Sequence, residues 1–136
     1  MERFPNMRVD LTPGIEIYEE LSQAPAKTHA FLTRFHKRIL YGTDSGGRTA
    51  LSRAMEMNRK EIARRAEIVR AFLTLHGTKT IQSDGDYLVG VKPFMMHCAG
   101  LTQEILTRIF HTNFLDFVGR NEPVPVRIEE VEYLSR

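Results

Sequence analysis

Tryptophan is absent from this chain, and cysteine occurs once, at Cys98. A lone cysteine excludes an internal disulfide and a cysteine-built zinc cluster, and it suits a reducing compartment. No apolar run approaches the ~20 residues that span a bilayer. The opening residues, Met1-Glu2-Arg3-Phe4-Pro5, lack the apolar centre of a signal peptide. A cytoplasmic protein without a membrane partner is therefore expected. No histidines stand at His-x-His or His-x-x-x-His spacing, so none of the five has a local metal-binding partner. Neither sign of charge is in excess: 19 Lys and Arg against 17 Asp and Glu leave a net +2, too little to imply nucleic acid. What remains is an ordinary globular composition, 42% hydrophobic over 136 residues, which allows one domain with a real core.

Strand and helix periods alternate along the first third. Met7, Val9 and Leu11 point one way and Arg8 and Asp10 the other, which predicts a short strand. Thr12-Pro13-Gly14 is a turn, and Ile15 to Leu21 is long enough for one or two helical turns. Pro25 suits the first turn of a helix running to His36, with Ala30, Phe31, Phe35 and Leu32 as its apolar face. A second strand, Arg38 to Tyr41, follows. Strand, crossover helix and strand in this order describe a βαβ unit with parallel strands.

Thr49 to His76 is the longest helical pattern, capped by Thr49 and stopped by Gly77. Its stripe is Leu51, Met55, Ile62, Ala66, Val69, Phe72 and Leu73. Glu56 with Lys60, and Glu61 with Arg65, are acid-first pairs at helical spacing. Asp84-Gly85 predicts a small hairpin between Thr80-Ile81-Gln82 and Tyr87-Leu88-Val89. Thr102 is placed to cap a helix that buries Ile105, Leu106, Ile109 and Phe110, and Asn113 to cap a further short helix stopped at Gly119. Pro123-Val124-Pro125-Val126 must be extended.

Chemistry concentrates at the end of the second strand, in Gly42-Thr43-Asp44-Ser45-Gly46. A carboxylate at the C-terminal mouth of a buried strand sits where α/β proteins keep their sites. Asp44 there can bind a divalent metal or act as a general base. The competing reading makes it a turn Asp that caps the following helix. Gly42 to Gly47 lacks the Gly-Lys-Ser/Thr ending of a phosphate loop and the Gly-x-Gly-x-x-Gly of a dinucleotide fold. Arg48 to Arg70 carries seven Lys or Arg against three Glu, a mixture that fits a solvated helix face better than a nucleic-acid surface. His97 beside Cys98 would need spatial contact to act as a dyad, which adjacency does not supply. Met55, Met57, Met95 and Met96 read as packing residues.

Three segments carry a resemblance. Phe4-Pro5-Asn6-Met7-Arg8-Val9-Asp10-Leu11 resembles the entry to the penultimate barrel strand of the amidohydrolase-related family of metal-dependent hydrolases. Arg38-Ile39-Leu40-Tyr41-Gly42-Thr43-Asp44 is similar to that family's last-strand signature. Gly100-Leu101-Thr102 through Ile109, then His111-Thr112-Asn113-Phe114, resembles its closing helices. The resemblance implies an α/β fold, namely the C-terminal fragment of a (β/α)8 TIM barrel. Such a fragment has about two parallel strands with their crossover and C-terminal helices, and residues 1–136 form a single partial domain. It implies hydrolysis of C–N, C–O or related bonds, or decarboxylation, at a mononuclear divalent metal, zinc in the complete site. Asp44 would be metal ligand and general base, with Thr43 and Ser45 orienting it or contacting a small-molecule substrate. The remaining family ligands have no counterpart here, and a closed barrel needs about 250 residues and eight strands.

The alternative from another class is a non-catalytic α/β binding or assembly module. Under the barrel reading the missing strands leave edges and apolar faces uncovered, so the partner is a second copy or the missing N-terminal barrel portion. Sedimentation of the purified chain tests this. A homo-oligomer is expected, and a tight monomer with no apolar patch above a few hundred Å² would refute it.

Overall fold

The computed structural model describes residues 1–11, 15–43, 59–83 and 92–119. It is a mixed helix-and-strand fold with two small sheets. In the first, β1 (Val9–Asp10) and β2 (Ile39–Leu40) are parallel, with Val9 opposite Ile39 and Asp10 opposite Leu40. The Leu11 N–H extends the ladder by donating to the Leu40 carbonyl at 3.0 Å. Between the strands lie α1 (Ile15–Ser22), α2 (Pro25–Phe35) and a 3-10 turn, His36–Arg38. The expected parallel βαβ unit is therefore present, with its crossover divided into two helices. Both strands are shorter than their sequence patterns. Arg38 belongs to the turn, and its guanidinium takes up the carbonyls of Met1, Phe4 and Pro5 at 3.0, 3.1 and 3.2 Å. Side-chain bonding replaces a ladder there.

The buried face of α2 differs from the expected one. Thr28 and Leu32 are buried and Phe35 is half-buried, while Ala30 and Phe31 are exposed. Thr28 can occupy the core because its hydroxyl donates to the Leu21 carbonyl at 2.7 Å, and this rotates the stripe. A hydroxyl in the core is what the apolar count missed.

In the second sheet, β3 (Thr78–Ile81) runs antiparallel to β4 (Phe94–His97), with Thr78 opposite His97 and Ile81 opposite Phe94. Among the described residues β3 pairs with Phe94–His97, and the expected partner Tyr87–Val89 is not among them. Met96 and Ile81 face the core and Met95 faces outward, the period of two that a half-covered sheet requires. Asp84-Gly85 and Tyr87 to Val89 lie outside the described residues.

Helix α3 (Arg59–Thr74) passes between these parts. Ile68, Val69, Ala71, Phe72 and Leu73 are all buried, so its last turns are enclosed on most sides. The proposed beginning at Thr49, with Leu51 and Met55, lies outside the described residues, as do the Glu56 and Glu61 side chains. The pairs that are described join Glu67 to Lys79 at 2.8 Å and to Arg64 at 3.0 Å. Those two cations, Lys79 foremost, hold the Glu67 carboxyl below the usual glutamate range.

The carbonyls at the end of α3 are closed by the segment after β4. The Ala99 N–H donates to the Phe72 carbonyl at 2.6 Å and the Leu101 N–H to that of Leu73 at 2.9 Å. Gly100 makes this return with φ +56°, and a Cβ there would overlap the His76 ring.

The C-terminal helical run comprises α4 (Gln103–Thr107), a π-helical turn over Arg108–Thr112 and α5 (Asn113–Val118). Thr102 stands at the N-cap position, but its side chain makes no capping hydrogen bond. Asn113 is not a cap: it has helical φ −64° and ψ −33° and is fully buried. Its Nδ2 donates to the carbonyls of His36 at 2.5 Å and Ile39 at 2.8 Å. The Tyr41 N–H donates to the Ile109 carbonyl at 3.1 Å. The side of β2 facing away from β1 is thereby engaged by the C-terminal run.

Tyr18 is the other junction. Its ring meets Phe72 edge-on at 5.0 Å, and its hydroxyl donates to the Leu11 carbonyl at 3.0 Å. Its own carbonyl accepts from Ser22 Oγ at 2.6 Å, and that oxygen accepts the His97 N–H at 2.9 Å. Helix α1 so ties β1, α3 and β4 together.

The Asn113 contacts predict a ranked effect. Asn113→Ala strands two carbonyls and is expected to cost roughly 1–3 kcal/mol in chemical denaturation. Asn113→Asp keeps the shape but points a carboxylate at both carbonyls, so it should cost more. An Asp variant as stable as the parent would show that packing, not donation, holds the helix.

Candidate functional site

The site suggested by sequence lies where β2 ends. Alternation continues to the end of the described segment. Ile39 is fully buried and Tyr41 packs against the core, on the side covered by helices. Val9 and Leu11 share that side from β1, whereas Arg8 and Asp10 are exposed. Leu40 and Gly42 alternate with Ile39 and Tyr41 and are half-buried. Thr43, also half-buried, is the last described residue of the segment. Asp44 and Ser45 lie outside the described residues, so of the three predicted site residues only Thr43 has a described position.

Other candidate groups are scattered. His29 on α2 is exposed, and so is His111 in the π-helical turn. His36 places Nδ1 2.7 Å from the Thr33 carbonyl, so that nitrogen carries the proton and donates. The His76 ring covers Gly100, and His97 belongs to β4 rather than to a loop. Cys98 donates its N–H to the Gly77 carbonyl at 2.9 Å, and burial pushes its thiol above the usual range, against a smaller pull from Lys79. A reactive thiolate needs the opposite shift. Among the described residues, no group of three or more His, Cys, Asp or Glu side chains could hold a metal ion. Also among them, no helix is long and apolar enough to cross a membrane.

One concavity borders the strand end. A cleft of about 440 Å³ is lined by Tyr41, Arg70, Thr74, Gln103, Leu106 and Phe110. Tyr41 and Phe110 form its aromatic wall, with ring centroids 4.9 Å apart and planes inclined at 57°. The Tyr41 backbone bond to Ile109 sets that pair, since it fastens the strand end to the turn that carries Phe110. Burial raises the Tyr41 phenol above its ordinary 10.0, and the positive charge of Arg70 opposes the rise. The phenol therefore stays protonated at neutral pH and remains a donor.

Sequence reasoning found the strand end but missed Arg70, Gln103 and Asn113 as contributors around it. Arg70 was absorbed into a charged helical stretch, and Gln103 carried no motif. Asn113 carries a signal, a polar residue between helical turns, but in sequence that signal is the same as a cap's. No family model, curated protein or solved structure matches this chain.

Tyr41 gives a pH prediction. Its pKa is higher in the folded than in the unfolded chain, so around the ordinary value the folded state holds a proton that the unfolded state has lost. Stability should then fall as pH rises through 10.0 toward the folded value. Tyr41→Phe should flatten this alkaline decline in urea titrations below and above that pH. Arg70→Gln should move the Tyr41 ring titration, followed by NMR, further up.

Proposed function

We propose that the chain is the closing portion of an amidohydrolase-related, metal-dependent hydrolase, acting by hydrolysis or decarboxylation on a small molecule. The observation that supports it best is the parallel β1–β2 pair, whose second strand leads through Gly42-Thr43 to Asp44. The three segments that resemble the family also converge on β2. Arg38 grips the Phe4-Pro5 entry segment, and Asn113 holds the start of the strand. In this reading two strands are the last of a (β/α)8 barrel, and exposed Phe4, Met7, Phe114, Phe117 and Val118 are available to a second copy or to the rest of the barrel.

Asp44 is the proposed metal ligand and proton acceptor, with Thr43 and Ser45 beside it. A zinc ion in such a site lowers the pKa of bound water to about 7. Among the described residues no group of side chains makes up a metal centre, and in this reading the other donors belong to the remainder of the barrel.

A specific observation favours the second reading, a non-catalytic α/β binding or assembly module. In a closed barrel another strand pairs along the outer side of the last one. Here the Ile39 carbonyl and the Tyr41 N–H are already bonded to Asn113 and Ile109. Those two groups are therefore not open to a further strand.

Metal analysis and activity separate the two. The purified chain should lose added zinc on dialysis and hydrolyse nothing. Asp44→Ala in the complete assembly should lower metal-dependent turnover by several orders of magnitude. Stoichiometric zinc retained by this chain alone would refute the incomplete-site reading. An assembly whose role survives Asp44→Ala would favour the module.

A further inference from the structure

The cleft beside Tyr41 has a lining that selects a ligand class. Among the described residues Arg70 is its one ionised side chain, standing on the exposed side of α3. Among the described residues no carboxylate pairs with that guanidinium. Two of the other polar groups are donors with capacity left. Tyr41 offers a protonated phenol. Gln103 uses one amide hydrogen on Thr107 Oγ1, in a long 3.4 Å contact, and keeps another. Thr74 spends its hydroxyl proton on the Arg70 carbonyl at 2.9 Å, so it adds no donor toward a ligand. Leu106, Phe110 and the Tyr41 ring supply the apolar part.

We propose that this cleft is a binding site for a small carboxylate with an apolar body. The guanidinium takes the carboxylate through two parallel N–H bonds, Tyr41 and Gln103 complete the acceptor's shell, and the aromatic wall with Leu106 covers the hydrocarbon. The volume is that of an ordinary small-molecule site, which holds mostly apolar surface and a few placed polar groups. A cation would meet Arg70 with no compensating acid among the described lining residues. A neutral molecule would leave the guanidinium's preference unused. The site lies on the helix-covered side of β2 and does not depend on Asp44, so it stands or falls separately from the hydrolase reading.

The experiment uses the full chain and three probes with one tail, namely hexanoate, hexanol and hexylamine, titrated by heteronuclear NMR. Hexanoate should saturate with a dissociation constant on the order of a millimolar. Its shifts should be confined to Leu106 methyls, the Gln103 side-chain amide and residues around Tyr41. Hexanol should bind about tenfold more weakly, and hexylamine more weakly still. Arg70→Gln should remove the advantage of hexanoate over hexanol while leaving hexanol unchanged, and Arg70→Lys should keep part of it. Gln103→Trp, on an exposed helical position, should block all three by filling the cleft. The proposal is overturned if hexanoate does not saturate, if the three probes bind alike, if the hexanoate preference survives Arg70→Gln, or if shifts map elsewhere.

Discussion

A two-residue parallel ladder cannot satisfy its own outer side, and the placement of the C-terminal helices follows from that constraint. An unpaired N–H or carbonyl buried beside a strand costs about as much as a lost hydrogen bond. In this fold the Ile39 carbonyl and the Tyr41 N–H are engaged by Asn113 and Ile109. The residues that do so are 70 or so positions later in the chain, across a π-helical turn. A π turn widens the helix by one residue per turn, and here it spans the stretch between the two anchor points, Ile109 and Asn113. Both of the Nδ2 contacts of Asn113 are carbonyls, so its amide has one sensible orientation, and its Oδ1 is left buried without a partner.

The same economy joins the remaining parts. Tyr18 reaches β1 with its hydroxyl and α3 with its ring, and Ser22 one turn later reaches β4. The segment from Cys98 to Leu101 closes the end of α3 by backbone bonds alone, which is why it must bend through Gly100. Few of these contacts are ion pairs of consequence. Arg34 with Glu2, and Arg108 with Asp116, are exposed and contribute little, at most about 1 kcal/mol each. Burial of Tyr18, Phe72, Leu32, Ile39, Leu73, Met96 and Ile109 is the main favourable term.

The strand end thus borders two chemically different settings. Toward the helices it is aromatic and donor-rich, around Tyr41, Phe110 and Arg70. On the opposite alternation stand Leu40 and Gly42, both half-buried. The proposed carboxylate site belongs to the first. Alternating side chains along β2 separate the two.

The sequence alone determined the helices α1 and α2 and the parallel pairing of the two early strands, whereas the helix expected to reach His76 ends at Thr74. These rest on period, caps and turn residues, which are local and so survive without knowledge of the rest. It also suggested Asp44, Thr43 and Ser45, of which only Thr43 falls within the described residues. Only the tertiary structure decided that Thr28 enters the core, that β3 pairs with Phe94–His97, that Asn113 is a latch rather than a cap, and that Arg70 shares a cleft with Tyr41 and Gln103. Each of those depends on a partner between about 7 and 77 residues away. The side-chain period that predicts a helix face says nothing about which distant carbonyl that face will meet.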